Sequence, residues 1–210
     1  MLLLAHTGIT LGVFDLCRRI YSRISSHPEK KKKKLVYIAK SSPTLFESSP
    51  NPDPLKNPEK RHIDYRFILL GSIFPDMVDR PLVMLIFSVI FTTGKIYTHT
   101  LLVNLVLLFM GMYLLKRKGA NFLAFSLASC FHLVLDEMWL DLQTLLWPLY
   151  GWGFPKQDIS HWWGHILQGL FTNPWVYLPE IIGAVILLGF GIVLAKRRMM
   201  KEFLFRGKLP

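Results

Sequence analysis

The sequence predicts an all-α fold: a multi-pass helical membrane protein with about four to five spanning helices plus short interfacial or re-entrant helices. Three observations lead there. Of the 210 residues, 51% are apolar and 19% charged, against about 25% charged in an ordinary soluble domain, and the mean hydropathy is +0.33. The apolar residues gather into long runs. The net charge of +11 is packed into a few blocks rather than spread along the chain. This apolar content excludes a disordered chain. Two cysteines, Cys17 and Cys130, are too few for a disulfide scaffold; each sits in or at the end of an apolar run and reads as a small buried side chain.

Residues 1–16 are apolar apart from His6, Asp15 and a few Thr and Gly, and precede Arg18-Arg19. They lack a basic start and a small-residue cleavage site, so they read as a retained helix rather than a signal peptide. Within a single domain spanning 1–210, residues 24–63 read as a basic, solvated, mobile loop insertion. It holds five consecutive lysines from Lys30 to Lys34 and then a stretch rich in Ser, Pro and Asn. Residues 199–210 read as a basic tail. Residues 67–74 and 82–91 are short apolar stretches separated by Pro81, which suggests a helix ending near Asp76 and then a partly buried or re-entrant helix. Longer runs cover 101–115, closed by Lys116-Arg117-Lys118, then 122–135, then 176–195, closed by Lys196-Arg197-Arg198. A spanning helix needs about 17 residues at the least; the last run meets that, and the other two reach it when their polar ends are counted. Residues 140–150 and 159–171 are rich in Trp and Tyr, side chains that favour the membrane–water interface.

Three blocks, 18–66, 116–118 and 196–210, hold 22 of the 25 Lys and Arg and six of the 14 acidic residues. Basic loops stay on the cytoplasmic side, so the 24–63 loop and the C-terminus are expected there, with anionic lipid as the partner of the lysine run. The spanning runs, and the lack of any recognition motif, argue against nucleic acid as that partner. The opposite, extracytoplasmic face then collects His6, Asp76, Asp79, His99, His132, Asp136, Glu137 and Glu180, with Arg80, Lys95 and Lys156 as its only basic residues.

Imidazoles and carboxylates at the ends of separate helices form a ligand set for a divalent cation such as Zn²⁺ or Mn²⁺. His132 and Asp136, at i and i+4, share one helix face. Asp76 and Asp79 sit together after Phe74-Pro75, although Asp79-Arg80 also reads as a helix-end ion pair. Ionisable groups at membrane depth are costly, which makes the set a candidate site. Glu180 reads equally well as a site carboxylate and as a group favoured by a helix start. His161 and His165 read as parts of an interfacial aromatic helix, and His27 and His62 as solvated.

Four ordered motifs carry a resemblance. Ala5-His6-Thr7-Gly8-Ile9-Thr10 comes first, then Gly71-Ser72-Ile73-Phe74-Pro75-Asp76-Met77-Val78-Asp79. Thr98-His99-Thr100 follows, and last His132-Leu133-Val134-Leu135-Asp136 with Leu145-Leu146-Trp147-Pro148. Over residues 5 to 150, leaving out the lysine-rich loop, the chain resembles the membrane-bound metal-dependent hydrolases known as YdjM-like proteins. These are held to be distantly similar to zinc-dependent phospholipase C and zinc-dependent single-strand nucleases. The resemblance implies that His6, Asp76, His99, His132 and Asp136 are metal ligands and that Asp79 is a ligand or supports one. The chain departs from the family pattern at Gly94, where a histidine is usual, at Lys95, where an arginine is usual, and in the spacing of Asp79 from Asp76.

The expected function is therefore hydrolysis of a phosphate ester or lipid-linked ester, a small-molecule or lipid substrate, by metal-activated water. The site would lie at the outer face of the cell's inner membrane. Asp79 or Glu180 would take the proton, and Lys95 would stabilise an anionic oxygen or neutralise the acidic cluster. The alternative is a non-catalytic membrane protein that binds metal for structure or transport; the chain lacks the internal repeat that many transporters show.

Overall fold

A computed structural model describes residues 3–40, 63–85, 94–155 and 162–207. Among them are eight α-helices, two short 3₁₀ turns and no strand, in agreement with the expected all-α class. The chain divides into two units, Met1–Gly12 with His62–Pro210, and Val13–Arg61.

Helix α1 (Leu3–Lys40) begins in the first unit and runs on through the second. It corrects part of the expected 24–63 loop: residues 24–40 are helical. Pro28 is the one helix breaker among them; there is no glycine, and the Lys, Glu, Leu and Ala that follow are good helix formers. Residues 41–62, with His62, lie outside the described residues. In the second unit Asp15 pairs along the helix with Arg18 at 3.0 Å and Arg19 at 2.6 Å.

The larger unit is built on α2 (Tyr65–Leu85), α3 (Leu101–Lys118) and α4 (Asn121–Leu135), with α4 packed against both α2 and α3. The sequence suggested that α2 ends near Asp76, but it runs unbroken past Pro75 and Pro81 to Leu85. Neighbouring helices hold a proline-bearing turn in place where an isolated helix would break. Gly71 lets the two backbones close up, since a Cβ there would run into the Phe125 carbonyl. Residues 86–91 of the expected re-entrant helix lie outside the described residues.

Buried polar contacts tie α3 to its neighbours. Thr100 caps α3 by accepting from the Val103 amide. Asn104, fully buried, donates to the carbonyls of Thr98 and Thr100 at 2.8 and 2.9 Å and accepts from Ser129 at 2.7 Å. Beside this, Val83, Ile96 and Phe154 form an apolar cluster with Leu82, Tyr97 and Trp147.

Two short elements, the 3₁₀ turn Met138–Leu140 and α5 (Leu142–Leu145), fall where the interfacial segment is expected, with α6 (Trp162–Thr172) after them. His165 lies on α6; His161 and Lys156 lie outside the described residues. Helix α7 (Pro174–Lys196) starts with Asn173 as cap and Pro174 in its first turn. Its 23 residues and hydropathy of 2.3 make it the one helix, among the described residues, long and apolar enough to cross a membrane. Leu101–Leu115 and Asn121–Leu135 are apolar but shorter. Large apolar side chains stand exposed along α7 (Ile182, Val185, Leu188) and α3 (Val106, Phe109, Tyr113), a surface suited to lipid rather than water.

The expected basic tail contains α8 (Met200–Arg206). It docks on the start of α2, where the Gly207 carbonyl accepts from Tyr65 at 3.0 Å and the Leu204 carbonyl accepts from Arg66 at 2.9 Å. The amide of Asp64 donates to Asn121 at 3.0 Å. The starts of α2 and α4 therefore meet α8 and Gly207 at one end of this unit.

At the other end α1 crosses α7 at Gly8 and Gly183, so closely that a Cβ on either would strike the other helix's backbone. Gly183→Ala is expected to cost about 1–3 kcal/mol through overpacking, read as a lower thermal midpoint of the purified protein. Gly189→Ala, with none of the described residues within 4 Å of its Cβ, should leave stability unchanged or raise it by up to about 1 kcal/mol.

Candidate metal centre

The second half of α2 carries Asp76 and Asp79, the 3₁₀ turn Tyr97–His99 carries His99, and the end of α4 carries His132 and Asp136. These elements meet. Asp76, His99, His132 and Asp136 each bring one ligand atom to within 4.8 Å of the others. Asp76 is half-buried and the other three are buried.

Neighbours fix the direction of both imidazoles. His132 Nδ1 donates to the Ser72 carbonyl at 2.7 Å; because a carbonyl only accepts, the proton is on Nδ1 and Nε2 keeps its lone pair. His99 Nδ1 lies 2.7 Å from Asp79 Oδ2 and donates to it in the same way. Carboxylate and carbonyl partners behind a histidine are what orient it as a metal ligand. The two Nε2 atoms point into the cluster and, although buried, have no hydrogen-bond partner among the described residues.

From His99 Nε2 the distances are 3.6 Å to Asp76 Oδ1 and 3.7 Å to Asp136 Oδ2, and His132 Nε2 stands 3.9 Å from the same Asp136 oxygen. Donors about 2.1 Å from a shared tetrahedral ion stand about 3.4 Å apart. The separations are only slightly wider, so the residues fit a divalent cation. His99 and Asp136 lie just off the ends of α3 and α4. Burial disfavours a charged His99, yet the facing carboxylates of Asp76 and Asp79 outweigh it and raise its pKa above the ordinary value. Burial also opposes ionisation of Asp136, but the His6 ring and Lys95 hold it well below the usual carboxylate range.

The other expected site residues fall around this core. His6 is adjacent to the four donors rather than one of them. Its ring stacks on His132 at 4.0 Å. Its Nε2 lies 3.1 Å from Asp136 Oδ1, an electrostatic contact that favours the ionised carboxylate, and among the described residues neither ring nitrogen makes a hydrogen bond of good geometry.

Asp79 does not face the cluster with a free oxygen. It is fully buried and accepts from the amides of Ile96 (2.9 Å), Thr98 (3.1 Å) and His99 (3.3 Å) as well as from the His99 ring. Glu180 is on neither metal-facing set: its Oε2 accepts from the amides of Leu4 at 3.1 Å and Ala5 at 3.3 Å, at the positive end of α1. Of the two roles weighed for it, the helix-start role is the one observed, with the start belonging to α1 instead of α7. Lys95 neutralises, with Nζ 2.8 Å from Asp136 Oδ2. Arg80 pairs with Asp76 through both carboxylate oxygens, at 2.9 and 3.0 Å, rather than with Asp79.

Three participants escaped sequence reasoning. The Asp76–Arg80 pair has a signal, the i,i+4 spacing on a helix. The Ser72 carbonyl and Asn104 have none, because a main-chain acceptor and a lone buried amide leave no pattern. Asp79→Ala would strip three buried amides and an imidazole of their acceptor and is expected to cost about 3–5 kcal/mol. Glu137→Ala, at an exposed position, should stay within about 0.5 kcal/mol of the parent; thermal unfolding checks both.

No curated protein and no solved structure matches the chain. A family model does, over residues 44–203, a range that takes in Asp76, Asp79, Lys95, His99, His132, Asp136 and Glu180 and begins after His6. The chain belongs to the family described as YdjM inner membrane protein.

Proposed function

We propose that the protein is a membrane-bound, metal-dependent hydrolase acting on a phosphate ester or lipid-linked ester at the outer face of the inner membrane. One observation carries this: two buried imidazole nitrogens without hydrogen-bond partners converge with two carboxylates on a space of metal-site size. His99, His132, Asp76 and Asp136 would hold the ion. The donors are nitrogen and oxygen with no sulfur, which suits Zn²⁺ and also Mn²⁺. A bound divalent ion would supply positive charge that lowers the pKa of a water and polarises the ester.

The protein's own groups divide the remaining work. Asp79 holds the His99 tautomer. Glu180 anchors the first turn of α1 so that His6 meets Asp136. His6 Nε2 stands 3.1 Å from Asp136 Oδ1; once a bound ion takes over that carboxylate, the ring would be released to take the proton of the water. With Asp79 committed to the 96–99 segment, two imidazoles and two carboxylates are left to face the cluster, a donor set for one divalent ion rather than the several zinc ions of phospholipase C and the single-strand nucleases.

The topology follows the charge. The docked α2 start, α4 start and C-terminal α8 carry the basic blocks and would lie in the cytoplasm. The ends bearing Asp76, Asp136 and Glu180 would lie outside. Helices α2, α3 and α4 would cross the membrane with α7 and the first turns of α1, the shorter ones reaching the interface through their polar ends.

A non-catalytic metal site is the second reading. It is favoured by four protein donors, the number found in closed structural sites, and by the engagement of both Asp79 and Glu180 elsewhere.

Metal analysis of the purified chain separates these. About one ion per chain is expected, and its loss in the His132→Ala/Asp136→Ala double variant; equal metal in both rules the site out. Asp76→Asn, at the least buried of the four positions, covers the case in which the double variant does not fold. His6→Ala is expected to keep the metal and lose hydrolysis of chromogenic phosphate esters about 100-fold or more. Unchanged hydrolysis there would favour the second reading. For topology, a cysteine at Glu137 in a chain lacking Cys17 and Cys130 should react with an impermeant thiol reagent from outside, and one at Lys32 only from the cytoplasm.

A further inference from the structure

Lys95 and Arg80 are the two cations to which the hydrolysis reaction gives no task, and both lie on would-be ligand oxygens. Lys95 Nζ is 2.8 Å from Asp136 Oδ2, the oxygen that stands 3.7 and 3.9 Å from the Nε2 atoms of His99 and His132. Arg80 holds both Asp76 oxygens, including the Oδ1 that stands 3.6 Å from His99 Nε2. Exposure runs one way: the side chains of Lys95 and Arg80 are 33% and 30% exposed, against 1% for Asp136 and 15% for Asp76. The cations form the solvent-side layer and the carboxylates the inner one.

A divalent ion and an ammonium on the same carboxylate oxygen repel strongly where water screens poorly. The two cations differ in how they can answer. Arginine grips its carboxylate in a rigid two-point fork, whereas lysine is a point charge on a flexible four-carbon stem. Lys95, whose Nζ also lies 3.5 Å from the Asp136 carbonyl and 3.6 Å from Met138 Sδ, is the one whose flexible stem lets the charge swing away.

We propose that Lys95 and a divalent cation exclude each other at Asp136 Oδ2, so that cation loading releases the Lys95 ammonium to bind, together with Arg80, a phosphate group presented from the solvent side. This rests on the metal site proposed above and names its substrate class: a phosphate ester rather than a neutral carboxylic ester. A phosphate brings several anionic oxygens to a rim that then holds an ammonium, a guanidinium and an ion. A neutral ester gives the two side chains nothing to neutralise. The phosphate has two sources, a soluble ester or a lipid headgroup, and the chemistry at the rim is the same for both.

The coupling is reciprocal, because an anion that rewards the released lysine must tighten the cation by the same factor. The test uses the full chain in lipid nanodiscs with free Zn²⁺ set by a chelator buffer. Zn²⁺ affinity is measured alone, with inorganic phosphate in solution, and with phosphatidic acid in the disc. In the absence of phosphate, Lys95→Met should bind Zn²⁺ about tenfold more tightly than the parent chain. Phosphate should tighten Zn²⁺ in the parent chain and not in Lys95→Met. A response to inorganic phosphate assigns a soluble ester, and a response confined to phosphatidic acid assigns a lipid. Lys95→Gln serves as a second variant if the methionine form is poorly folded.

Zn²⁺ binding by the parent chain that neither variant strengthens, or that neither phosphate source tightens, overturns the exclusion and leaves the metal site standing. A parent chain that binds no Zn²⁺ removes the metal site itself and the exclusion with it.

Discussion

A carboxylate with no exposed surface, inside an apolar helical bundle, has to be met by donors or it opposes folding. Asp79 is that group, and the geometry of the centre depends on how it is met. Its donors all come from residues 96–99: three amides and one imidazole. One side chain on α2 therefore pins the segment that precedes α3 and fixes which nitrogen of His99 carries the proton. The effects propagate along the chain. With the segment pinned, Thr98 reaches the Pro75 carbonyl at 3.0 Å and Thr100 caps α3. Asn104, one turn further on, ties α3 to Ser129 of α4, three residues before His132. A single buried charge sets the spacing among α2, α3 and α4, and with it the site residues on α2, on the 3₁₀ turn before α3 and at the end of α4.

The fourth contributor is held by a different device. Helix α1 carries His6 near its start, where free amides make a helix end fray. Glu180 of α7 accepts from two of those amides, and the Gly8–Gly183 crossing lets the helices approach closely enough for it to do so. The same arrangement satisfies a buried carboxylate and the first turn of α1 together. It also explains why His6 can stack on His132 although the two lie on elements far apart in sequence.

The helical class and most of the site were legible in the sequence for a clear reason. Apolar runs and basic blocks are one-dimensional signals, and His132 with Asp136 or Asp76 with Asp79 lie within a turn of each other on one helix. The resemblance points to five ligands, and four of them, Asp76, His99, His132 and Asp136, converge, with His6 beside them. Roles that depend on two distant elements were not legible. Glu180 could be placed at a helix start, but nothing local says that the start belongs to α1. Asp79 was recognised as supporting or ligating, and only the fold of 96–99 around it decides for support. The end of α2 was misjudged because proline at 75 and 81 breaks an isolated helix, whereas packing against α4 keeps it whole. Lysine at 30–34 marks solvation in composition alone, yet a lysine run is also a good helix former, and α1 continues through it.

The departures from the family pattern at Gly94 and Lys95 alter the charge of the centre as well as its donor count. Among the described residues nothing lies within 4 Å of a Cβ placed on Gly94. At the next position Lys95 supplies a full positive charge and lands on Asp136. With Asp79 committed to the 96–99 segment, the two carboxylates left to face the cluster each have a cation of their own, Asp76 with Arg80 and Asp136 with Lys95. The bundle is thus charge-balanced before any ion arrives, unlike small zinc domains that cannot fold without their metal. An ion entering such a site exchanges with protein cations that already serve the carboxylates. Its affinity is set by the difference between the two partnerships, which makes it sensitive to whatever gives the displaced cation a new partner.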